Sequence, residues 1–191
     1  YNEVLSYRGL KKYPEYRGMY GSEEEDCARL KAKIVDLMFE RLLTELEEKG
    51  QLENTVIIGM TDHYTYGYKE MSELYAHSGV TDTMLLEKTP CFIWSPDSPS
   101  VTVDKTLNTA DLLPTVLNLM GIDSPYQHLG QDAFDPAYEG FAFFPDGSWI
   151  ADGVVCQVNS KGGKKVLRNE NGVSLTNAYY QKMEETVKSR L

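Results

Sequence analysis

Thr55 to Met60, TVIIGM, runs directly into Thr61-Asp62-His63-Tyr64, and that junction constrains the fold more than any other segment. An apolar run this short, rich in β-branched residues and flanked by polar ones, reads as a strand buried in a sheet. It delivers an acid and an imidazole together at its carboxyl end, where open α/β sheets hold ligands. Adjacent strand residues face opposite ways, so Asp62 and His63 reach one ion only if the chain has left strand geometry by Thr61. The pair is therefore placed on a loop. One hard oxygen and one ring nitrogen suit a divalent cation such as Mn²⁺ or Zn²⁺. Read from the residues alone, the alternative is an Asp62 that caps a turn beside a solvated His63.

The flanking segments give this strand its setting. Residues 1 to 21 mix Tyr, Arg, Lys and Gly without periodicity and read as a loop. Ser22 with Glu25 three positions on is a capping box, Glu23 to Asp26 complement the helix dipole, and Lys49-Gly50 is a stop signal. Between them Leu30, Ile34, Met38, Leu42 and Leu46 form a stripe at four-residue spacing, expected to be core. The link from Gln51 to Asn54 then completes a helix, a tight connection and a strand in the order of an α/β unit. Residues 64 to 88 read as a polar excursion, Pro90 to Ser95 as a second buried strand, and 109 to 120 as a helix capped by Asn108 or Thr109. In that helix Leu112, Leu113, Val116, Leu117 and Met120 are expected inward, with Pro114 tolerable near the first turn. After about residue 140, short strands alternate with Pro145-Asp146-Gly147 and Gly162-Gly163, the pattern of an antiparallel meander, and a helix over 177 to 190 closes the chain.

Composition narrows the function classes. The 191 residues carry 19 basic and 29 acidic side chains, a net charge of −10, with 41% hydrophobic content. One sizeable core fits these figures, while a nucleic-acid surface or charge-driven docking on anionic lipid does not. An anionic substrate would need local cations, most simply a metal. No apolar run approaches the roughly 18 to 20 residues of a membrane-spanning helix. Cys27, Cys91 and Cys156 are too few and too scattered for a disulfide framework or a Cys-rich zinc site.

Four segments in order are ENTVIIGMTDHYTYGY at 53 to 68, KTPCFIWSPD at 88 to 97, TADLLPTVLNLMGID at 109 to 123 and LGQDAF at 129 to 134. Together they resemble the carboxyl-terminal half of the lipoteichoic acid synthase and sulfatase-like branch of the alkaline phosphatase superfamily. The resemblance spans roughly residues 24 to 145. It implies an α/β fold: part of a three-layer α/β/α sandwich over 22 to 140, then a small antiparallel sheet and terminal helix over 141 to 191. The amino-terminal half of the catalytic domain would lie outside this chain.

The resemblance also implies an enzyme anchored at the extracytoplasmic face of the bacterial cell membrane. It would transfer glycerophosphate from phosphatidylglycerol to a polymer or glycan acceptor, with Mn²⁺ as the first choice of ion and Zn²⁺, Mg²⁺ or Ca²⁺ as alternatives. Asp62 and His63 match two metal ligands, whereas the nucleophilic Thr and a further acidic ligand belong to sequence before Tyr1. This chain by itself would then be inactive. It departs from the synthases in running on from Tyr64 with Thr65-Tyr66-Gly67, where they have a Gly, so the loop beside the ion should differ in shape.

Two rival functions stand beside this one. The first is a sulfatase, phosphatase or phosphodiesterase of the same superfamily, although neither Cys27-Ala28-Arg29 nor Cys91 has the Cys-x-Pro-x-Arg context. The second is a non-catalytic domain that binds headgroups or polymer.

Tyr64 and His77 are candidate substrate contacts, Tyr64 through its ring and His77 by protonating a leaving group; the plainer alternatives are a rim-packed ring and an exposed His. His128 is expected to hydrogen-bond a turn, Asp132 to brace a loop, Glu23 to Asp26 to start a helix, and Trp94 and Trp149 to lie in core or rim.

Overall fold

The computed structural model describes residues 8–64, 68–80 and 83–191. The chain divides into two compact units, Tyr1–Pro99 and Ser100–Leu191. The architecture is of the expected mixed α/β class, with helices, two antiparallel sheets and a carboxyl-terminal helix. No helix among the described residues is long and apolar enough to cross a membrane.

In the first unit the long helix α1, Glu23–Glu48, begins as its sequence requires. The Ser22 hydroxyl accepts from the Glu25 amide at 3.2 Å, and four acidic residues occupy the first turn. It ends in a left-handed Gly50 at φ 63°, with the Gln51 amide returning to the Leu46 carbonyl at 2.8 Å. The stripe behaves differently from expectation. Leu30 is buried, but Ile34, Met38 and Leu42 are 44%, 50% and 40% exposed, and Leu46 is half-buried. The small core of this unit covers the first turns of α1, gathering Leu10, Cys27 and Leu30 under Tyr13 and Tyr16. The amino-terminal segment is accordingly not all loop: residues 8–12 are helical, Pro14–Tyr16 forms a 3₁₀ turn, and Leu10 is fully buried.

β1, Ile57–Met60, pairs antiparallel with β2, Cys91–Trp94, with Ile57 opposite Trp94 and Gly59 opposite Phe92. Gly59 has no side chain because a Cβ there would sit 2.3 Å from the Phe92 ring, which also meets Phe39 of α1 edge-on at 5.6 Å. Neither strand is buried as expected: Ile58, Met60 and Phe92 are 41%, 47% and 44% exposed, since two strands alone cover only part of each other's faces. The polar excursion between them is also more ordered than its composition suggested. It contains α2, Met71–Ser78, stopped by left-handed Gly79, and α3, Thr83–Leu86, with Leu74, Met84 and Leu86 buried.

In the second unit Asn108 caps a 3₁₀ turn, Thr109–Asp111, that leads into α4, Leu112–Leu119, with Pro114 harmless in its first turn. Of the apolar set expected inward, Leu112, Val116 and Leu117 are half-buried, and the fully buried positions are polar. Asp111 and Thr115 are buried while Leu113 and Met120 are 55% and 54% exposed. Asp111 organises the loops around it: its carboxylate accepts from the Asn108 amide at 2.8 Å, the Gln131 amide at 2.8 Å and the Tyr138 hydroxyl at 2.9 Å. Thr115 donates to the Asp111 carbonyl at 2.6 Å and accepts from the Ala133 amide at 2.9 Å. Gly130 lets that loop come close, since a Cβ on it would lie 2.1 Å from the Ala110 carbonyl oxygen.

The meander follows as β3 (Ala142–Phe143), β4 (Trp149–Ala151), β5 (Val154–Val158) and β6 (Lys164–Asn169), antiparallel and in sequence order. α5, Asn177–Arg190, starts on a Thr176 cap and sets Met183 and Val187 against Tyr138, Phe141, Trp149, Val154 and Cys156, the main core of this unit. Lys164 of β6 pairs with Glu184 and lies over the Tyr180 ring, so polar contacts at the edge support the same packing.

Tyr138→Phe should lower stability by about 1–3 kcal/mol, because it removes a donor from the buried Asp111 carboxylate. The midpoint of urea unfolding followed by tryptophan fluorescence measures it. Met38→Gln on the exposed stripe should change that midpoint by no more than about 0.5 kcal/mol, against the roughly 2–5 kcal/mol that truncating a core Met costs.

Candidate functional site

Strand geometry ends at Met60, so Thr61 to Tyr64 are free of the pleat that would have turned Asp62 and His63 apart. The two side chains face each other, with His63 Nε2 3.5 Å from Asp62 Oδ2. His63 Nδ1 lies 2.7 Å from the Tyr64 carbonyl oxygen. A carbonyl only accepts, so Nδ1 donates to it and Nε2 is the nitrogen turned toward the carboxylate. A main-chain acceptor on one ring nitrogen is the usual way a metal-binding imidazole is held in its tautomer. The Asp62 side chain is 88% exposed and that of His63 41%, leaving the space in front of both open. One carboxylate oxygen and one imidazole nitrogen fit a divalent cation as half of a coordination shell. Among the described residues no cluster of three or more His, Cys, Asp or Glu completes it.

Beside this pair lies a cavity of about 330 Å³. His63, Tyr64 and His77 all line it, so three of the four residues singled out from the sequence meet there. α1 supplies Ala28, Arg29 and Ala32 to the same wall, and α2 supplies Leu74 and His77. The carboxylates opening α1 tie the intervening segment down. Glu25 Oε1 lies 3.3 Å from His77 Nδ1 and 3.6 Å from Arg29 Nη2, and Glu24 Oε1 lies 3.0 Å from Lys69 Nζ. The Lys69 ammonium holds the Glu24 carboxyl below the usual range. Tyr68 tilts its ring against His77, centroids 6.1 Å apart, and burial followed by the charge of Glu25 pushes its phenol up.

Thr61 and Tyr68 also line the cavity, but their hydroxyl oxygens are sealed from it and have no hydrogen-bond partner among the described residues. Each such buried group costs about 1–3 kcal/mol. Sequence reasoning missed Arg29, Tyr68 and Glu25. The i, i+4 spacing of Glu25 and Arg29 was visible, but it also fits an ordinary surface pair. Residues Thr65-Tyr66-Gly67, where the chain departs from the synthase pattern, lie outside the described residues.

The remaining candidates have structural settings. Asp132 braces its loop, accepting from the Phe134 amide at 3.0 Å and from Asn118 Nδ2 at 2.7 Å. The Nε2 of His128 is buried with no hydrogen-bond partner among the described residues. Trp149 is fully buried and Trp94 half-buried. Asp26, read as part of a helix start, is a buried loop anchor that accepts from the amides of Gly18, Met19 and Tyr20 at 2.6, 3.1 and 3.0 Å. All three cysteines are free, and burial pushes each thiol up, which disfavours the nucleophilic thiolate.

Lipoteichoic acid synthase 2 of Bacillus subtilis (strain 168) is 25% identical over 140 residues, 70% of this chain and 22% of that protein. Lipoteichoic acid synthase of Staphylococcus saprophyticus is 30% identical over 125 residues, 62% of this chain and 19% of that protein. The Staphylococcus aureus (strain USA300) lipoteichoic acid synthase is 28% identical over 127 residues, with 62% and 19% covered. The chain thus spans about a fifth of the length of these relatives. A family model described as Sulfatase matches residues 14–122, which take in α1, the Asp62-His63 loop, the cavity and α4. The chain belongs to the sulfatase family.

Proposed function

We propose that this chain contributes the metal-binding loop and part of the substrate cavity to a phosphotransferase of the lipoteichoic acid synthase type. The observation that carries the reading is the convergence of Asp62 Oδ2 and His63 Nε2, 3.5 Å apart on an open loop at the end of β1, in a chain of this family with relatives of that name. The reaction is transfer of glycerophosphate from phosphatidylglycerol to a polymer or glycan acceptor. Its setting is the extracytoplasmic face of the bacterial cell membrane, with an anchor belonging to the longer polypeptide.

Asp62 and His63 would hold the ion, Mn²⁺ in first place and Zn²⁺, Mg²⁺ or Ca²⁺ as alternatives. When bound, such an ion neutralises phosphate oxygens and lowers the pKa of a hydroxyl nucleophile. The residues of this chain do the rest of the local work. The Nδ1–H bond to the Tyr64 carbonyl fixes the imidazole so that Nε2, not Nδ1, meets the ion. Asp62 adds the negative charge that a hard cation requires. Tyr64 and His77 border the space where a substrate would lie. His77, 3.3 Å from Glu25, would give a proton to a departing oxygen. The nucleophilic Thr and a further acidic ligand are assigned to sequence outside these 191 residues.

A hydrolase of the same superfamily is the second reading, favoured by the sulfatase family model. The two differ in whether a second alcohol or water receives the transferred group. The buried, unactivated Cys27 gives a sulfatase nucleophile no support within this chain.

Mn²⁺ should broaden the ring proton resonances of His63 in the 191-residue chain. Asp62→Ala should weaken this binding at least tenfold, since a site with so few protein ligands loses the Asp62 carboxylate. Broadening of equal strength in the variant would refute the assignment. The same chain should release no product from a glycerophosphate or aryl phosphate donor. Turnover at an enzyme-like rate, about 1 s⁻¹ or faster, would show that the nucleophile lies within it.

A further inference from the structure

The net charge of −10 speaks against electrostatic docking of the surface as a whole, yet the cations are unevenly spread. Residues 8 to 17 carry Arg8, Lys11, Lys12 and Arg17 against a single acid, Glu15, and all five are exposed. In the helical turn over 8–12, Arg8, Lys11 and Lys12 stand at i, i+3 and i+4, on one face. Leu10, on the opposite face, is fully buried in the core with Cys27 and Leu30. The contact that anchors the turn therefore points three cations outward.

None of these three forms an ion pair among the described residues; Lys12 lies over the ring of its neighbour Tyr13 at 5.4 Å. By contrast Arg29, Lys33, Arg41, Lys49 and Lys69 of the same unit each meet a carboxylate. Arg17 is partly answered, 3.8 Å from Glu23. The backbone beneath the cluster is fixed at both ends. The Tyr13 amide returns to the Gly9 carbonyl at 2.8 Å, and Asp26 holds the amides of Gly18, Met19 and Tyr20.

Unanswered cations fit an anionic partner, and the form of the cluster selects its kind. A single polyanionic strand is held best by a groove that tracks its backbone. The outward face of a helical turn is convex, and its long side chains reach a plane of phosphate headgroups at several points at once. Tyr13 and Tyr16, half-buried against the same core, add rings of the type that settle at headgroup level. We infer that residues 8 to 17 are a docking surface for an anionic lipid membrane, with Arg8, Lys11 and Lys12 toward the headgroups. The inference takes its membrane setting from the phosphotransferase reading, but it uses neither the Asp62-His63 loop nor the cavity. An anionic surface repels the acidic remainder of the chain, so the patch sets which side turns toward it. Three cations orient a polypeptide that is anchored by other means; they do not hold it alone.

The test is paramagnetic relaxation enhancement of backbone amides in the 191-residue chain, mixed with vesicles that carry a trace of lipid with a nitroxide headgroup. Vesicles of equal parts phosphatidylglycerol and phosphatidylcholine should enhance relaxation at residues 8 to 17 at about 0.02 M salt, and the effect should vanish at about 0.5 M, where charges are screened within a few ångströms. Vesicles of phosphatidylcholine alone should give none. Lys11→Gln and Lys12→Gln should each weaken the effect about fivefold. Lys161→Gln, at an exposed cation between β5 and β6, should leave it unchanged. The urea midpoint shows that each variant folds, and either lysine variant suffices for the test. Equal enhancement on phosphatidylcholine, enhancement centred on other residues, or none on either vesicle would overturn the inference. So would equal perturbation of residues 8 to 17 by soluble polyphosphate at the same phosphate concentration, since the patch would then read a phosphate chain rather than a surface.

Mn²⁺ separates the two proposals. Enhancement at residues 8 to 17 in a chain whose His63 resonances ignore Mn²⁺ keeps this inference while the metal assignment falls. Broadening of His63 by Mn²⁺ with no enhancement on phosphatidylglycerol does the reverse.

Discussion

The carboxylates that open α1 carry the organisation of the first unit. Residues 23 to 26 would serve any helix by facing the positive end of its dipole, yet here they are also tethers. Asp26 gathers three successive amides from Gly18 to Tyr20, Glu25 holds Arg29 and His77, and Glu24 holds Lys69. The first of these contacts folds the amino-terminal segment onto the helix, and the other two bring the segment after His63 back over it. The apolar core of this unit, around Leu10, Cys27 and Leu30, is small, so these polar tethers hold much of the segment.

Asp111 repeats the device in the second unit with a different set of donors. A buried carboxylate is tolerated there because main-chain amides and a phenol replace the water it has lost. Tyr138 shows the other half of that bargain: burial first, and then the hydrogen bond to Asp111, push its phenol well above the ordinary range. It remains the neutral donor that the carboxylate needs. In both units a loop is shaped by an acid turned inward toward peptide N–H groups, and in neither does that acid belong to the candidate metal loop.

The site itself combines a simple local geometry with a less predictable surrounding. Asp62 and His63 converge because the strand stops at Met60 and because the Tyr64 carbonyl fixes one nitrogen of the ring. The cavity exists because an excursion with little apolar periodicity nevertheless forms α2 and buries Leu74 and Leu86. Hydrophobic pattern alone could not distinguish that helix from a polar loop, since eight residues carry too few turns for a periodic signal.

The sequence by itself determined the elements whose signals are local. The Ser22 cap and Gly50 stop delimit α1, the Asn108 capping box starts the turn before α4, and Gly147 and Gly162 punctuate the meander. The Asp62-His63 loop was legible for the same reason, because adjacent residues at a strand end share a place whatever the rest of the chain does. Tertiary structure decided which faces are covered. Periodicity states that a helix has an apolar side but not that a partner lies against it, so the stripe from Ile34 to Leu42 is exposed while the polar Asp111 and Thr115 are buried. It also decided that Arg29, Tyr68 and His77 border one cavity, since their meeting depends on how a chain of almost fifty residues returns to the helix from which it set out.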